Sequence, residues 1–343
     1  FGDAHFGDLS WRALLAGRPL FGWGGVFRAV EPILAIDMVV RDDTADAFRG
    51  DRAVQGVAAL RFNVDADRNL GVYAVYRQQR GEGVTDGGRA TDAFIIDVAG
   101  RWRWANPRHD TESKLGFEAA LIRGTTTLVR SDTAPVVGLR QFGAALKGSV
   151  RVRSWEGYLD LGYASGDQNP YDTTLDAFRF DADYRAGLIL FQELMAWQSA
   201  RTFARATDPE LVGYPPEGAE LLPTRGAVSG AAYVFPRVRN GVRDWLDIYG
   251  GPLIALSTAA MADPFNTRIS GGTPRNALGG VPGRYLGTEL DLGVQARMTP
   301  VAGMAVSATA EGGYLVPGAA FALADGRTLG PIAAARVRLG VRF

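Results

Sequence analysis

Cysteine is absent from the sequence, and the 343 residues include only two histidines, His5 and His109, and two lysines. The lack of cysteine excludes disulfide bonds and thiolate-held metals. His109 lies in a predicted short turn and His5 near the start, so a hydrolytic Ser–His or Asp–His site has no well-placed base. We therefore expect no enzymatic activity.

An excess of charge of one sign and long hydrophobic runs are also missing. Lysine and arginine together number 37, as do aspartate and glutamate, so the net charge predicts no nucleic-acid binding. The longest uncharged hydrophobic stretch, residues 248–262, is shorter than the roughly 20 residues of a membrane-spanning helix. No signal-peptide pattern opens the numbered chain, so we expect any such leader to have been removed. Glycine pairs such as Gly271-Gly272 precede no predicted helix, which argues against a phosphate-binding loop.

Glycine is abundant instead, with 44 residues, and hydrophobicity alternates along the chain with a period of two. In the final stretch, Ala333 to Phe343, alternate residues including Val337 and Leu339 form an apolar face, and three arginines lie on the other face. An alternating strand that ends on an aromatic residue resembles the closing strand of a bacterial outer-membrane β-barrel. The terminal residue of such strands is part of the assembly signal, and Phe343 takes that place here. An amphipathic strand of a soluble β-sandwich is the alternative.

The same alternation recurs in many segments and is among the clearest between residues 94 and 104. Trp102 and Trp104 end an apolar face, whereas Asp97, Arg101 and Arg103 share the opposite face. Tryptophans at a strand end are typical of the aromatic girdle of a membrane barrel.

Connection lengths alternate as well. The predicted connections are long at residues 164–174, 201–224, 263–283 and 316–330, and short at residues 106–110 and 299–303. Outer-membrane barrels have long external loops and short periplasmic turns. No segment shows a sustained helical period. We therefore predict one domain, residues 1–343, forming an all-β transmembrane antiparallel up-and-down β-barrel of about 16 strands, within about 14 to 18.

Charged residues recur in mid-strand on the face opposite the apolar one, where they would be costly to bury in a sandwich but would line water in a wide barrel. The predicted pore-lining residues are Arg61, Asp97, Arg101, Arg103, Lys147, Arg151, Arg153, Asp160, Glu289, Asp291, Arg297, Arg336, Arg338 and Arg342.

The arginines also follow the predicted strand direction. With the C-terminus in the periplasm, strands that run downward end near arginines, so basic residues gather at the periplasmic mouth; Arg101 and Lys147 lie just above them. Such a ring would concentrate a polyanion by focusing the field in a narrow opening. Alternatively, the arginines pair with lumen carboxylates such as Asp97 and Asp291, or contact lipid phosphates. The strand-end arginines are Arg61, Arg103, Arg151, Arg297 and Arg342.

Several segments in the second half of the chain resemble the alginate-export family of outer-membrane barrels. They are Gly-Tyr-Ala-Ser-Gly-Asp-Gln-Asn-Pro-Tyr-Asp from Gly162, the run from Phe178 to Leu194, Asp-Pro-Phe-Asn-Thr-Arg from Asp263, Asn-Ala-Leu-Gly-Gly from Asn276, Leu-Gly-Thr-Glu-Leu-Asp from Leu286 and Tyr-Leu-Val-Pro-Gly from Tyr314. The resemblance implies a monomeric barrel of about eighteen strands with an arginine-rich conduit for an anionic exopolysaccharide. This chain is shorter than that pattern, and its inward charges are of both signs.

These observations predict a channel or porin of the bacterial outer membrane, with a periplasmic C-terminus, that exports an anionic exopolysaccharide or passes small anions. The alternative function is a structural or adhesive barrel whose external loops contact a partner. The expected partners are outer-membrane lipid and lipopolysaccharide, the anionic polymer or solute and, as an option, a periplasmic export protein. No cofactor is expected. The alternative is a calcium ion held in a loop by Asp167, Asn169 and Asp172.

Overall fold

The computed structural model describes residues 8–17, 29–42, 44–65, 67–81, 89–130, 134–301 and 304–342. Phe343 and His5 lie outside these residues. The strands of the described part are β1 (Leu9–Ala16), β2 (Ala29–Arg41), β3 (Arg52–Asn63), β4 (Asn69–Arg80), β5 (Ala90–Asn106), β6 (Thr111–Thr126), β7 (Val137–Val152), β8 (Trp155–Ala164), β9 (Thr174–Leu175), β10 (Ala231–Arg243), β11 (Leu246–Ser257), β12 (Tyr285–Val301), β13 (Met304–Pro317) and β14 (Ile332–Arg342).

All the strands belong to one 14-stranded sheet, and each strand except β9 pairs antiparallel with the next long strand along the chain. The two-residue β9 lies beside β7 in parallel. The predicted all-β, antiparallel, up-and-down architecture is confirmed, and the 14 strands found among the described residues lie at the lower end of the predicted range. Among the described residues the sheet is open, since β1 and β14 each have one neighbour.

Side-chain alternation gives the sheet one polar and one apolar face. Side chains directly opposite each other in antiparallel strands point to the same side of the sheet. The strand register therefore shows which side chains share a face across the whole sheet. Lys147 on β7 opposes Asp160 on β8, and Gly251 on β11 opposes Asp291 on β12. We call this side the polar face. Ile96 and Leu292 lie on the other side, the apolar face.

Connections differ in length at the two ends of the sheet. At one end, here called the short-turn end, residues 107–110 join β5 to β6, residues 153–154 join β7 to β8, and residues 244–245 join β10 to β11. At the opposite end, the long-connection end, residues 165–230 and 258–284 join β8 to β10 and β11 to β12. The tight turns use residues with positive φ, Asp110 at 44° and Arg153 at 56°. This asymmetry agrees with the predicted pattern of long and short connections.

The long connections contain helices that the sequence analysis did not predict. A π-helical turn, Leu190–Met195, leads into α1 (Ala196–Ala206) and α2 (Pro209–Val212), and α3 (Pro264–Ile269) lies in the connection before β12. The buried stripe of α1 consists of Gln198, Thr202 and Ala206. Because two of these three residues are polar, a hydrophobic period was not visible. No helix in the described ranges has the length and apolar character needed to cross a bilayer.

Residues 176–230, here called the inner segment, cover the polar face near the long-connection end. Phe191 and Leu194 of this segment pack in one buried cluster with Phe235 on β10, Leu253 on β11 and Leu315 on β13. A second cluster joins the segment, through Ala219, Leu222 and Phe203, to residues of β5 and β7. The main hydrophobic core therefore lies between the inner segment and the polar face, and not on the apolar face.

Candidate functional site on the polar face

The register places the predicted pore-lining residues of the strands together on the polar face. Arg153 follows β7, in the turn before β8, and Phe343 lies outside the described residues. The residues brought to this face are Arg61, Asp97, Arg101, Arg103, Lys147, Arg151, Asp160, Glu289, Asp291, Arg297, Arg336, Arg338 and Arg342.

Near the short-turn end, one carboxylate forms ion pairs with three cations. Glu112 of β6 pairs with Arg103, with Arg151 at 3.1 Å and with Lys114 at 3.4 Å. Adjacent strands place these side chains together, since Arg103 opposes Lys114 and Arg151 opposes Glu112. Arg103 also lies 3.7 Å from Asp67, and Arg151 lies 3.5 Å from Asp110, so three cations and three acids meet here.

A second group shares its acid in the same way. Asp247 at the start of β11 pairs with Arg239 at 2.5 Å and also with Arg297. Further along the sheet, Glu311 of β13 accepts hydrogen bonds from Arg336 and Arg338, both at 2.9 Å.

Four of the five strand-end arginines have carboxylate partners among the described residues, as one of the two sequence interpretations expected, but the partners differ from those expected. Glu112, Asp247 and Glu311 hold them in place of Asp97 and Asp291, and Arg61 pairs with Glu31 at 2.5 Å. Asp247 and Glu311 each pair with two arginines, so pairing does not cancel the positive charge of these two groups. The sequence gives no signal of which acid pairs with which arginine, because partners on neighbouring strands are far apart in the chain.

The acids predicted to line the pore lie deeper, away from the short-turn end. Asp97 of β5 lies beside Glu118 of β6. Asp160 pairs with Arg237 and lies opposite Lys147. The polar face thus changes from mainly cationic near the short turns to mixed charge at mid-depth.

Glu289 has a role that the sequence analysis missed. Its side chain is fully buried, and it accepts hydrogen bonds from three successive backbone N–H groups at the start of the π-helical turn: Leu188 at 2.5 Å, Ile189 at 2.8 Å and Leu190 at 2.7 Å. The N–H groups at a helix start lack partners within the helix, and a negative charge there also interacts favourably with the helix dipole. Glu289 therefore anchors the inner segment to β12.

A cavity of about 510 Å³ lies between the inner segment and the polar face of β3 to β7. It is bordered by Gln55 on β3 and, from the other side, by Ala260 and Met261 in the connection after β11. In a flat sheet, the seven strand spacings from β3 to β11 would span about 34 Å. Side chains of β3 to β7 and residues 259–262 after β11 line this same cavity, so the sheet curves around the inner segment with its polar face on the concave side.

The convex, apolar face exposes large hydrophobic side chains on almost every strand. Leu292 is 59% exposed and Leu339 is 79% exposed. Aromatic side chains on this face lie toward both strand ends. Trp104 and Trp155 lie near the short turns, and Tyr76, Phe94, Tyr163 and Tyr314 lie near the long connections.

The loop proposed for calcium uses its side-chain oxygens internally. Asp167 accepts hydrogen bonds from the backbone N–H groups of Asn169 and Asp176, and Asp172 accepts one from Thr174. Burial raises the pKa of Asp167. Burial also raises the pKa of Tyr171 to about 12, with a further contribution from the Asp263 carboxylate. In the described part of the chain, no group of three His, Cys, Asp or Glu side chains is placed to hold a metal ion.

No protein-family model matches the chain, and no curated protein matches its sequence. Among solved structures, the chain is similar to CdiB from Escherichia coli, with 10% sequence identity and a TM-score of 0.37. The match covers 97% of this chain and 53% of CdiB, so the chain spans about half the length of that protein.

Proposed function

We propose that this chain is a β-barrel channel of the bacterial outer membrane that passes anionic solutes and, by extension, an anionic polysaccharide. The observation that carries the proposal is the inverted distribution of polarity: the concave face holds the charged side chains, and the convex face is apolar and exposed. Monomeric soluble proteins rarely expose contiguous apolar patches beyond a few hundred Å², on the order of 400 Å². An apolar band flanked by aromatic residues at both ends matches a lipid-facing barrel surface.

Closure of the sheet is the second step of the proposal. An open sheet edge leaves backbone N–H and C=O groups without partners, which is unfavourable in lipid. The long strands alternate in direction from β1 to β14, so β1 and β14 run the same way. Closure therefore needs either a parallel β1–β14 pair, or one further strand between them that keeps every pair antiparallel.

The chain's lack of cysteine allows the assignment of the two faces to be tested with single cysteines. Val337 and Arg338 are neighbours on β14 and lie on the apolar and polar faces, respectively. In protein refolded into lipid vesicles, a charged, water-soluble thiosulfonate reagent should label Arg338→Cys rapidly and Val337→Cys slowly. Equal labelling of the two variants would contradict a lipid-facing convex surface.

Anion preference is the third step. The group around Asp247 holds two arginines and one acid, and Arg103 and Arg151 line the same short-turn end, which we place at the periplasmic mouth. A positive opening of this kind raises the local concentration of anions. The resemblance of segments within residues 162–194, 263–291 and 314–318 to the alginate-export family is the reason to name a polyanion as the substrate.

Two variants of opposite sign test this electrostatic argument. The triple variant Arg101→Ser, Arg103→Ser, Arg151→Ser should reduce anion preference in single-channel reversal potentials. Glu112→Gln, which removes the acid from the same group, should increase it. Both effects should be larger at low salt, because the screening length is about 10 Å at 0.1 M.

If both variants keep the wild-type reversal potential at low salt, the arginines have a structural role only. If the wild-type protein conducts no ions at all, the result favours the alternative of a structural barrel. Heat-modifiable migration in detergent gels serves as the folding control for every variant.

A further inference from the structure

The cavity behind the inner segment is separate from the cationic groups near the short turns. It lies at the long-connection end of β3 to β7 and is closed on one side by α1. Its volume of about 510 Å³ falls within the range of about 300–1,000 Å³ that is typical of small-molecule sites.

Side-chain amides and hydroxyls supply most of its polar lining. Gln55 and Gln141 project from the strands, and Gln198, Ser199 and Thr202 project from α1. These groups bond to neutral hydroxyl groups as donors and as acceptors.

Three charged residues line this cavity, and all three have protein partners. Asp167 accepts hydrogen bonds from the backbone N–H groups of Asn169 and Asp176. Arg77 pairs with Asp42 at 2.5 Å and donates to the Gln79 side chain at 2.8 Å. Arg179 donates to the carbonyl oxygens of Leu221 and Pro223, both at 3.1 Å. With its cations committed in this way, the cavity has no evident charge with which to select an anion.

Gln198 provides the observation that points to a ligand. The residue is 5% exposed, and its side-chain Oε1 has no hydrogen-bond partner among the described residues. Buried polar atoms in native proteins are almost always hydrogen-bonded. Gln198 lines the cavity, and a rotation of its side-chain amide would turn Oε1 toward a donor in the cavity. A hydroxyl group is the simplest donor of this kind.

Apolar side chains form the rest of the lining. Ile95, Ile122 and Leu139 come from the strands, and Phe203 comes from α1. A sugar ring presents hydroxyl groups at its edge and C–H groups on its faces. It therefore matches a wall that combines amides and hydroxyls with aliphatic and aromatic carbon.

We infer that this cavity is a binding site for a neutral saccharide unit, with Gln198 and Thr202 of α1 among its polar contacts. The inference does not depend on conduction, because binding requires only the folded chain. It goes beyond the proposed function, in which cations at the other end of the strands select for anions.

Isothermal titration calorimetry on the full chain refolded in detergent tests the inference. The probes are three neutral disaccharides, maltose, cellobiose and lactose, and one anionic disaccharide, digalacturonate. We expect saturable binding of at least one neutral probe, tighter than the binding of digalacturonate. The absence of saturable binding for all three neutral probes, or tighter binding of digalacturonate, would overturn the inference.

Variants locate the site within the molecule. Gln198→Leu should weaken binding of the neutral probe about tenfold or more, because it removes the acceptor and leaves the ligand hydroxyl unpaired. Thr202→Val, which keeps the side-chain shape, should weaken it by a smaller factor and provides a second reading if Gln198→Leu folds poorly. Gln295→Leu is the matched control, since Gln295 lies on the polar face of β12 outside the cavity. Equal affinity in wild type, Thr202→Val and Gln198→Leu would place the ligand elsewhere and refute the site.

Discussion

Replacement of Glu289 by glutamine should loosen the inner segment without unfolding the sheet. The carboxylate accepts three backbone hydrogen bonds from residues 188–190 and is fully buried. A hydrogen bond to a charged group contributes about 1.5–3 kcal/mol. Glutamine keeps one acceptor oxygen but turns an N–H₂ group toward at least one backbone N–H. We expect a loss of about 3 kcal/mol in the free energy that holds the segment in place.

The apolar contacts that the inner segment keeps determine how far this loss of free energy undocks it. Ile189, Leu190 and Phe191 are buried in the same cluster, and each buried side chain of this size contributes about 1.5–3 kcal/mol. The segment should therefore stay docked in most molecules. Its open population should rise about a hundredfold, since each 1.4 kcal/mol corresponds to about a factor of ten.

Hydrogen exchange of the peptide that contains residues 189–195 measures this opening, because exchange of protected amides reports local opening free energies. Wild type and Glu289→Gln are compared in lipid vesicles, so that the strands remain inserted in the membrane. Exchange in this peptide should accelerate by about the same factor, whereas exchange in β5 and β6 should stay unchanged.

Asp291→Asn is the matched control. Asp291 lies two residues further along β12 on the same face, next to Glu289, but it accepts no hydrogen bond from the inner segment. Asparagine keeps the shape of Asp291 and leaves the three backbone hydrogen bonds of Glu289 in place, so the control should leave exchange in this peptide unchanged. An equal acceleration in Glu289→Gln and Asp291→Asn would show that the loss of either acid loosens the segment, and that the backbone hydrogen bonds of Glu289 have no special role. Wild-type exchange in Glu289→Gln would refute the anchoring role.

Two further predictions concern the chain end and one connection. Deletion of Phe343 should lower the membrane-inserted fraction more than total synthesis, because the last strand must pair to leave no edge in lipid; equal fractions would remove the argument from that strand. In the connection after β2, burial acts to raise the pKa of Asp42, but the Arg77 ion pair and the N–H groups of Thr44 and Ala45 outweigh it and lower the pKa. The stabilisation is thus present above the ordinary pKa of 3.8 and is lost as pH falls through the lowered pKa. Asp42→Asn should therefore reduce the urea midpoint at pH 7, and the difference from wild type should shrink in strong acid; a difference that does not depend on pH would contradict this.

The sequence predicted the features that follow from strand alternation. A period of two assigns each side chain to a face once the strand is recognised, and neighbouring strands preserve that face through their register. Asp97 and Arg338 were therefore placed on one face although they are 241 positions apart in the chain (338 − 97). The length of the connections was also readable, because glycine, proline and polar residues accumulate between the alternating segments.

The ion pairs of the polar face could not be predicted, because they depend on register between strands. Glu112 meets Arg151 only because residue 111 pairs with residue 152, and a shift by two positions would give each a different partner. Alternation is unaffected by such a shift. The sequence consequently gave the sign and the face of each charge but not its partner.

The inner segment left a signal in the strands that cover it. Val234-Phe235 on β10, Leu253-Ile254 on β11 and Leu315-Val316 on β13 are adjacent apolar pairs near the long-connection end, where alternation predicts a polar residue. In each pair one member lies on the apolar face, and the other is buried beneath the inner segment: Phe235, Leu253 or Leu315. A strand of this sheet that is apolar on both faces at one end therefore marks the place where a connection folds back onto the polar side. At their other ends the same three strands alternate regularly between apolar and polar residues. The arginine groups lie there, and the inner segment does not reach that far. The loss of alternation therefore distinguishes the packed end of the polar face from the charged end.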